Sequence, residues 1–286
     1  MKKIIFTLAL LLLASQMSMA IECQNSCCTA PYDLTSGFSR FVSTVTGQNF
    51  IAEKVGESLV KKAIKKNIVS GKISANLDSY STRDLKAGRF KSLEITGKDV
   101  DIEGIYISYF NAKTLCDFNY IAKDKDNNYI VKENIPIAFN TEITEEDLNK
   151  TMNSSDYKRL IDDINSIGGS FNIFQIISTS VKLKNGKMYY IVKYAMPFVR
   201  KSKEVVISSD INVENGKIVL ANTNFVRNNS LMDIDKFSSI LNYINPLDFS
   251  AKILENKDAN FSIKNVKITD QKINIDGIIT VLKDKE

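Results

Sequence analysis

Three copies of one short pattern constrain the fold of this chain more than any other feature. The pattern reads strand, two-residue turn, lysine, strand, and it occurs at Val181–Met188, Ile211–Ile218 and Val266–Ile273. In the first two copies the turn is Asn-Gly, the strongest short signal for a β-hairpin. Because a two-residue turn fixes the register of its strands, the apolar residues on either side are committed to one face. The second half of the chain is therefore predicted to form an antiparallel sheet.

The same period of two residues runs through the first half of the chain. Ile73, Ala75 and Leu77 alternate with polar residues, and the cleanest alternation occupies every second position from Ile135 to Ile143. Between them, Phe90–Ile95 and Val100–Ile102 are predicted to be short strands, with glycine punctuation that includes Gly97. Strict alternation is typical of strands that bury one face and expose the other.

One long amphipathic helix precedes these strands, at Gln48 to Val69, with Ser70-Gly71 as its expected stop. At about 100° per residue, the small and apolar residues share one side: Ala52, Val55, Gly56, Leu59, Val60 and Ala63. We expect that side to lie against the sheet. The opposite side is rich in lysine, which indicates either a solvated outer face or a peripheral contact with an anionic membrane surface.

Two shorter helical regions complete an α+β fold. The first, near 145–166, follows Thr144, which is a good N-cap before three acidic residues. It is expected to be one helix or two short ones, ended by Gly168-Gly169. The second, at 233–245, is followed by Pro246, which disfavours helix in the residue before it.

The N terminus is typical of an export signal. Met1-Lys2-Lys3 is basic, Ile4–Ala14 is apolar, and Ser18-Met19-Ala20 matches a small-x-small cleavage site. We therefore expect a signal peptide at 1–20, with an uncleaved membrane anchor as the alternative. The mature protein is expected in the periplasm or cell envelope, with an arm at 21–35 and a single domain at 36–286.

Disulfide bonds are expected if the chain is exported to an oxidising compartment. The candidates are Cys23, Cys27, Cys28 and Cys116, which allow three complete pairings. A metal site at the N-terminal cluster is the alternative, but the chain has no histidine and no second close pair of cysteines to complete four ligands. A bond from this cluster to Cys116 would attach the arm to the body.

The composition offers little for catalysis. Without histidine the chain lacks the commonest general base and the commonest metal ligand. We find no nucleophile elbow, P-loop or dinucleotide fingerprint. The acidic clusters are more simply helix starts, strand edges or solvated surface. Positive and negative charges are interspersed, which does not favour nucleic acid as a partner. We therefore predict a protein that is not an enzyme and needs no cofactor.

Several segments, in order, resemble the LmeA-like phospholipid-binding family of exported bacterial proteins. They are Asp84–Val100 (DLKAGRFKSLEITGKDV), Ile105–Tyr109 (IYISY), Ile143–Leu148 (ITEEDL) and Asn245–Phe249 (NPLDF), together with the Asn-Gly-Lys hairpins. The resemblance covers roughly Phe50 to Leu282. It departs from the family pattern in the cysteine-bearing arm and in residues 157–171.

This resemblance implies a fold like that of the tubular lipid-binding proteins. In that fold a highly curved antiparallel sheet wraps around a long amphipathic helix, and acyl chains occupy the groove between them. The expected function is to bind or shuttle a phospholipid or similar lipid. The residues expected to line the groove are Val55, Leu59, Ile107, Phe118, Ile137, Phe139, Val192 and Tyr194.

A second function class remains open from the sequence. The same apolar side chains suit the closed core of an envelope scaffold or adhesion protein, whose partners would be proteins. An apolar groove of several hundred Å³ favours the lipid function, whereas a close-packed interior favours the scaffold.

Overall fold

The computed structural model describes residues 32–45, 47–123, 129–170, 175–196, 200–228, 244–247, 250 and 259–284. Within these ranges the protein is α+β and its sheets are antiparallel, as the sequence predicts. The helices are α1 Gly37–Val45, α2 Gln48–Lys65, α3 Thr82–Lys86, α4 Glu145–Met152 and α5 Ser155–Ser170.

The strands occur mostly in two runs, one before α4 and one after α5. In the first half they are β1 Ser70–Asp78, β2 Arg89–Phe90, β3 Ser92–Ile102, β4 Ile105–Thr114, β5 Asn119–Lys123, β6 Tyr129–Val131 and β7 Ile135–Thr144. In the second half they are β8 Gln175–Lys184, β9 Lys187–Ala195, β10 Lys203–Glu214, β11 Lys217–Asn228, β12 Ala259–Thr269 and β13 Lys272–Val281.

Strand pairing produces three sheets among the described residues. A six-stranded sheet has the order β1-β3-β4-β7-β13-β12, a four-stranded sheet the order β11-β10-β9-β8, and a three-stranded sheet the order β2-β5-β6. All three predicted hairpins are confirmed, with Lys184 opposite Lys187, Glu214 opposite Lys217 and Thr269 opposite Lys272. The first two lie in the four-stranded sheet and the third in the six-stranded sheet.

The backbone conformation of the first two hairpin turns explains why their central residues are asparagine and glycine. Asn185 and Gly186 have φ of 52° and 70°, and Asn215 and Gly216 have φ of 53° and 73°. Positive φ at both central residues defines the turn that matches the twist of a two-residue hairpin. Asparagine and glycine adopt it at the lowest steric cost.

The predicted helix 48–69 ends earlier than expected, at Lys65. Val69 instead donates its N–H to the carbonyl of Asp101 at 2.8 Å, and Ser70 begins β1. Gly71 was expected to stop the helix, which was wrong. It lies where the β1–β3 register shifts, with φ of 125°, and a Cβ there would be 2.8 Å from Val100 Cα. Upstream, Gly47 with φ of 68° separates α1 from α2.

Two further helical expectations have different outcomes. The region 145–166 is the pair α4 and α5, and Thr144 forms the predicted N-cap by accepting the N–H of Asp147. Gly168-Gly169 does not end α5, because the helix continues to Ser170. Most of the predicted helix at 233–245 lies outside the described residues.

Two hydrophobic clusters hold the domain together. The larger joins the four-stranded sheet to α4, α5 and one end of the six-stranded sheet, with Leu148, Val181, Val192, Ile207 and Ile273 almost fully buried. The smaller lies near the opposite end and centres on Leu77, Phe90 and Ile135. The wrapping of one curved sheet around α2 remains a prediction.

Candidate functional site

One face of the six-stranded sheet carries uncharged residues across five neighbouring strands, β1, β3, β4, β7 and β13. Gly97 lies opposite Ile73 and Phe110, and Ala112 lies opposite Ile95 and Phe139. Phe139 in turn lies opposite Gly277. Because side chains alternate between faces along a strand, the predicted row of residues 135, 137, 139, 141 and 143 belongs to this face.

The middle of this face is less covered than its ends. Ile137 packs against the smaller cluster and Phe139 against the larger one. Between the two clusters lies what we call the central patch, which consists of Ile95, Phe110, Ala112 and Ile279, with Phe139 at its border with the larger cluster. All five are partly exposed. The face is therefore packed at both ends and less deeply buried in the middle.

Two glycines fit aromatic rings closely onto this face. A Cβ on Gly97 would overlap the ring of Phe110, and a Cβ on Gly277 would overlap the ring of Phe139. In both cases the glycine lies directly opposite the phenylalanine in the neighbouring strand. Such pairs keep an aromatic ring flat against the sheet and occur where a sheet bends.

The opposite face of the same strands is polar and internally bonded. The Asn111 side-chain amide donates to Glu94 at 2.8 Å and to Thr96 at 3.2 Å. The amide of Asn140 donates to Asp276 at 2.6 Å. Lys272 Nζ contacts Glu142 at 2.8 Å, with both side chains partly exposed. Next to the central patch the sheet is thus amphipathic, with its apolar face the one that suits a hydrocarbon.

Helix α2 lies at the β1 edge of the apolar face. A Cβ on Gly56 would be 2.5 Å from Leu77 Cδ2, so the backbone of the helix approaches that side chain closely. Glu53 accepts both the N–H and the hydroxyl of Ser79 at 2.8 Å. Glu57 is only 4% exposed and accepts the N–H of Leu77 at 3.4 Å. Two carboxylates and a glycine therefore attach the helix to the edge strand.

Lys54 completes this attachment. Its ammonium group donates to both oxygens of Glu57, at 2.9 and 2.8 Å. These hydrogen bonds lower the pKa of Glu57 from its ordinary value of 4.5, against the opposing effect of burial. Glu57 consequently stays ionised when the helix is in place.

This geometry corrects the expected orientation of α2. Val55 and Leu59 were predicted to face the sheet, but they are 56% and 57% exposed. Ala63 is also exposed, whereas Gly56 and Val60 are partly covered. The hydrogen bonds of Glu53 and Glu57 instead turn the acidic side of the helix toward the sheet. Because successive residues are about 100° apart around a helix, this side lies about one residue step around from the side that was expected to face the sheet.

The other predicted lining residues lie in different places. Ile137 and Phe139 belong to the apolar face. Val192 and Tyr194 are 0% and 1% exposed and belong to the larger cluster. Ile107 is buried and, by alternation, lies on the face opposite to Phe110. Phe118 lies between β4 and β5, outside the six-stranded sheet, and stacks on Tyr80 with ring centroids 5.8 Å apart.

Sequence reasoning missed four members of the central patch: Ile95, Phe110, Ala112 and Ile279. Their alternation was visible, but which strands are neighbours was not. The glycine opposite each phenylalanine was the available signal, since a glycine inside a strand often marks a close approach of another group.

The arm is anchored near Cys116, which is buried. The Tyr32 hydroxyl donates to the carbonyl of Asn119 at 3.0 Å, and the Asn119 amide donates to the carbonyl of Cys116 at 2.7 Å. Thr35 donates its N–H and hydroxyl to Asp84, at 3.0 and 2.7 Å. Cys23, Cys27 and Cys28 lie outside the described residues, so the disulfide stays a prediction.

Other features of the described residues add no second site. An open pocket of 450 Å³ near the end of β10 and the middle of β12 is lined in part by Asn212, Glu214 and Asn265, which suits water better than hydrocarbon. No cluster of metal-binding side chains occurs in the described ranges. No described helix is long and apolar enough to cross a membrane.

Comparisons with known proteins identified no relative. No family model, no curated protein and no solved structure matches this chain.

Proposed function

We propose that this protein is an exported lipid-binding or lipid-shuttling protein that holds phospholipid acyl chains on the apolar face of its six-stranded sheet. The observation that carries this proposal is the central patch, an uncharged and partly exposed sheet surface between two packed clusters. An ordinary core strand would bury such residues. The resemblance to the LmeA-like family agrees with this function.

The expected binding energy is sufficient without any polar recognition. Burying hydrocarbon contributes about 0.8 kcal/mol per CH2 group. Half of a sixteen-carbon chain would therefore contribute roughly 6 kcal/mol before the costs of association. No reactive side chain is needed, which is consistent with the lack of histidine.

The proposed lining differs from the one predicted from the sequence. It comprises the central patch and Ile137, with α2 as the wall at the β1 edge. Val192 and Tyr194 leave the lining because they are buried in the larger cluster. Val55 and Leu59 leave it because they point to solvent.

A matched pair of variants tests this proposal. Ala112 and Ala138 lie in neighbouring strands, are both partly exposed and belong to opposite faces. We expect Ala112→Asp to lose acyl-chain binding because it places a charge in the central patch, and Ala138→Asp to retain it. The measurement is native mass spectrometry with lipid extraction, on protein purified without detergent from its own envelope, followed by titration with fluorescent phospholipid.

Circular dichroism and urea unfolding provide the control for folding. Lipid-free wild-type protein that also gives no fluorescence change with labelled phospholipid would refute the proposal. Equal lipid binding by the two aspartate variants, both folded, would refute the assignment to this face.

An envelope scaffold or adhesion protein is the second candidate. The observation that favours it is the closed packing of Val192 and Tyr194, two residues expected to line a groove. If the wild-type protein is lipid-free and folded, this function takes precedence.

A further inference from the structure

The outward side of α2 combines apolar and cationic side chains. Ile51, Val55 and Leu59 are four residues apart, so they form one row along the helix. They are 66%, 56% and 57% exposed. Single exposed apolar residues are common, but three in one row on one helix are a surface that a partner would cover.

Lysines continue this row toward the C-terminal end of the helix. Lys62, Lys65 and Lys66 are exposed and fall on the same side as the row at 100° per residue. Their ammonium groups make no ion pair within the described part of the chain. Together these six residues form what we call the outward face of α2.

The acidic residues of the helix are absent from this face. Glu53 and Glu57 point the other way, where they bind Ser79 and Leu77 of the edge strand. The helix therefore has both of its carboxylates on the inward side and the ammonium groups of Lys62, Lys65 and Lys66 on the outward side. An apolar row with lysines beside it is the pattern of helices that lie in a membrane interface.

We propose that the outward face of α2 docks the protein onto an anionic lipid bilayer. The row of apolar side chains enters the region between headgroups and acyl chains, and the lysines contact lipid phosphates. We choose an anionic bilayer as the partner because its negative charge complements the lysines. A second copy of the chain, docking through the same face, would bring no acidic residue to meet them. The chain preceding residue 32 contains only one acidic residue, Glu22, to oppose the lysines.

This inference goes beyond lipid binding in the groove, because it concerns a different surface. Docking would place the β1 edge of the sheet next to a bilayer. The central patch, which lies on the same sheet, would then exchange lipid with that bilayer. Docking itself does not require the central patch to bind lipid.

The test is sedimentation with vesicles of equal parts phosphatidylglycerol and phosphatidylcholine, compared with vesicles of phosphatidylcholine alone. The apolar variant combines Ile51→Ser, Val55→Ser and Leu59→Ser. The charge variant combines Lys62→Glu, Lys65→Glu and Lys66→Glu. The matched control is Ile177→Ser with Val226→Ser, two residues of the four-stranded sheet that are 55% and 57% exposed.

We expect wild type and the matched control to bind the anionic vesicles, with binding that weakens as salt is added. Each lysine near an anionic surface strengthens partition about fivefold, so the loss of three lysines alone should weaken binding on the order of a hundredfold, and the three added carboxylates should weaken it further. The apolar variant should lose at least about tenfold. All variants carry the same N terminus, so any contribution from residues 4–14 is common to them. Urea unfolding midpoints should agree, because the changed side chains are mostly exposed.

Three results would overturn the proposal. The first is equal vesicle binding by wild type and the apolar variant. The second is equal binding to both vesicle types. The third is a wild-type dimer in light scattering that the apolar variant abolishes, which would assign the face to a second copy. Ala112→Asp should keep vesicle binding and the apolar variant should keep its extractable lipid, so failure of docking is distinguishable from failure of the groove.

Discussion

Replacement of Ala112 by tryptophan separates an open groove from a filled core. Ala112 lies between Ile95 and Phe139 in the central patch. If the patch is open, the indole will lie on it and cover about 100 Å² of apolar surface, which contributes up to roughly 2 kcal/mol before side-chain ordering. The free energy of unfolding should therefore stay unchanged or rise.

Ala75→Trp is the matched control for a filled site. Ala75 lies on the same face but is buried, opposite Ile95 at the edge strand. Inserting an indole there forces neighbouring side chains to move, at a cost of about 1 to 3 kcal/mol. Only Ala75→Trp should therefore lower the free energy of unfolding, which urea titration measures.

The same variant reports on lipid directly. The chain contains no tryptophan, so all indole emission in Ala112→Trp comes from one site. Phospholipid with brominated acyl chains should quench that emission and should leave Ala138→Trp, on the polar face, much less affected. The reasoning fails if Ala112→Trp destabilises the protein as much as Ala75→Trp does, or if bromine quenches both reporters equally.

The remaining predictions concern export, the arm and the helix. Intact-mass spectrometry of native protein should show that residues 1–20 are absent. Non-reducing peptide mapping should find at least one disulfide among the four cysteines, which contributes about 3 to 4 kcal/mol for a loop of tens of residues; four free thiols would contradict this. Glu57→Gln should lower the free energy of unfolding by about 1.5 kcal/mol at neutral pH. Because folding lowers the pKa of Glu57 from 4.5, this difference should be complete above that pH and vanish as the pH falls through the folded-state pKa. A difference that persists in acid would contradict the assignment.

Local signals predicted the elements of this fold well. The two hairpin turns require positive φ at both central residues, which Asn185-Gly186 and Asn215-Gly216 adopt easily. The hairpins could therefore be predicted from the sequence. The helix start at Thr144 could also be predicted, because its hydroxyl accepts the N–H of Asp147, only three residues away. In each case the interacting groups are near one another along the chain.

Contacts between residues that are far apart in the sequence could not be predicted. Phe139 meets Ala112 on one side and Gly277 on the other, and nothing local to these three residues specifies that arrangement. The side of α2 that faces the sheet was predicted wrongly, because the prediction considered only apolar residues and therefore ignored Glu53 and Glu57. Their partners are backbone N–H groups at the end of an edge strand, which a pattern of side chains does not record.

The attachment of α2 to β1 also bears on how the protein avoids self-association. An edge strand with free N–H groups is a template for pairing with another chain. Here β1 is an edge of the six-stranded sheet, and Glu57 binds the N–H of Leu77 while Gly56 lets the helix cover the strand. The helix thus protects the β1 edge of the sheet against intermolecular strand addition, and a chain that lost these carboxylates would expose that edge to pairing with another chain.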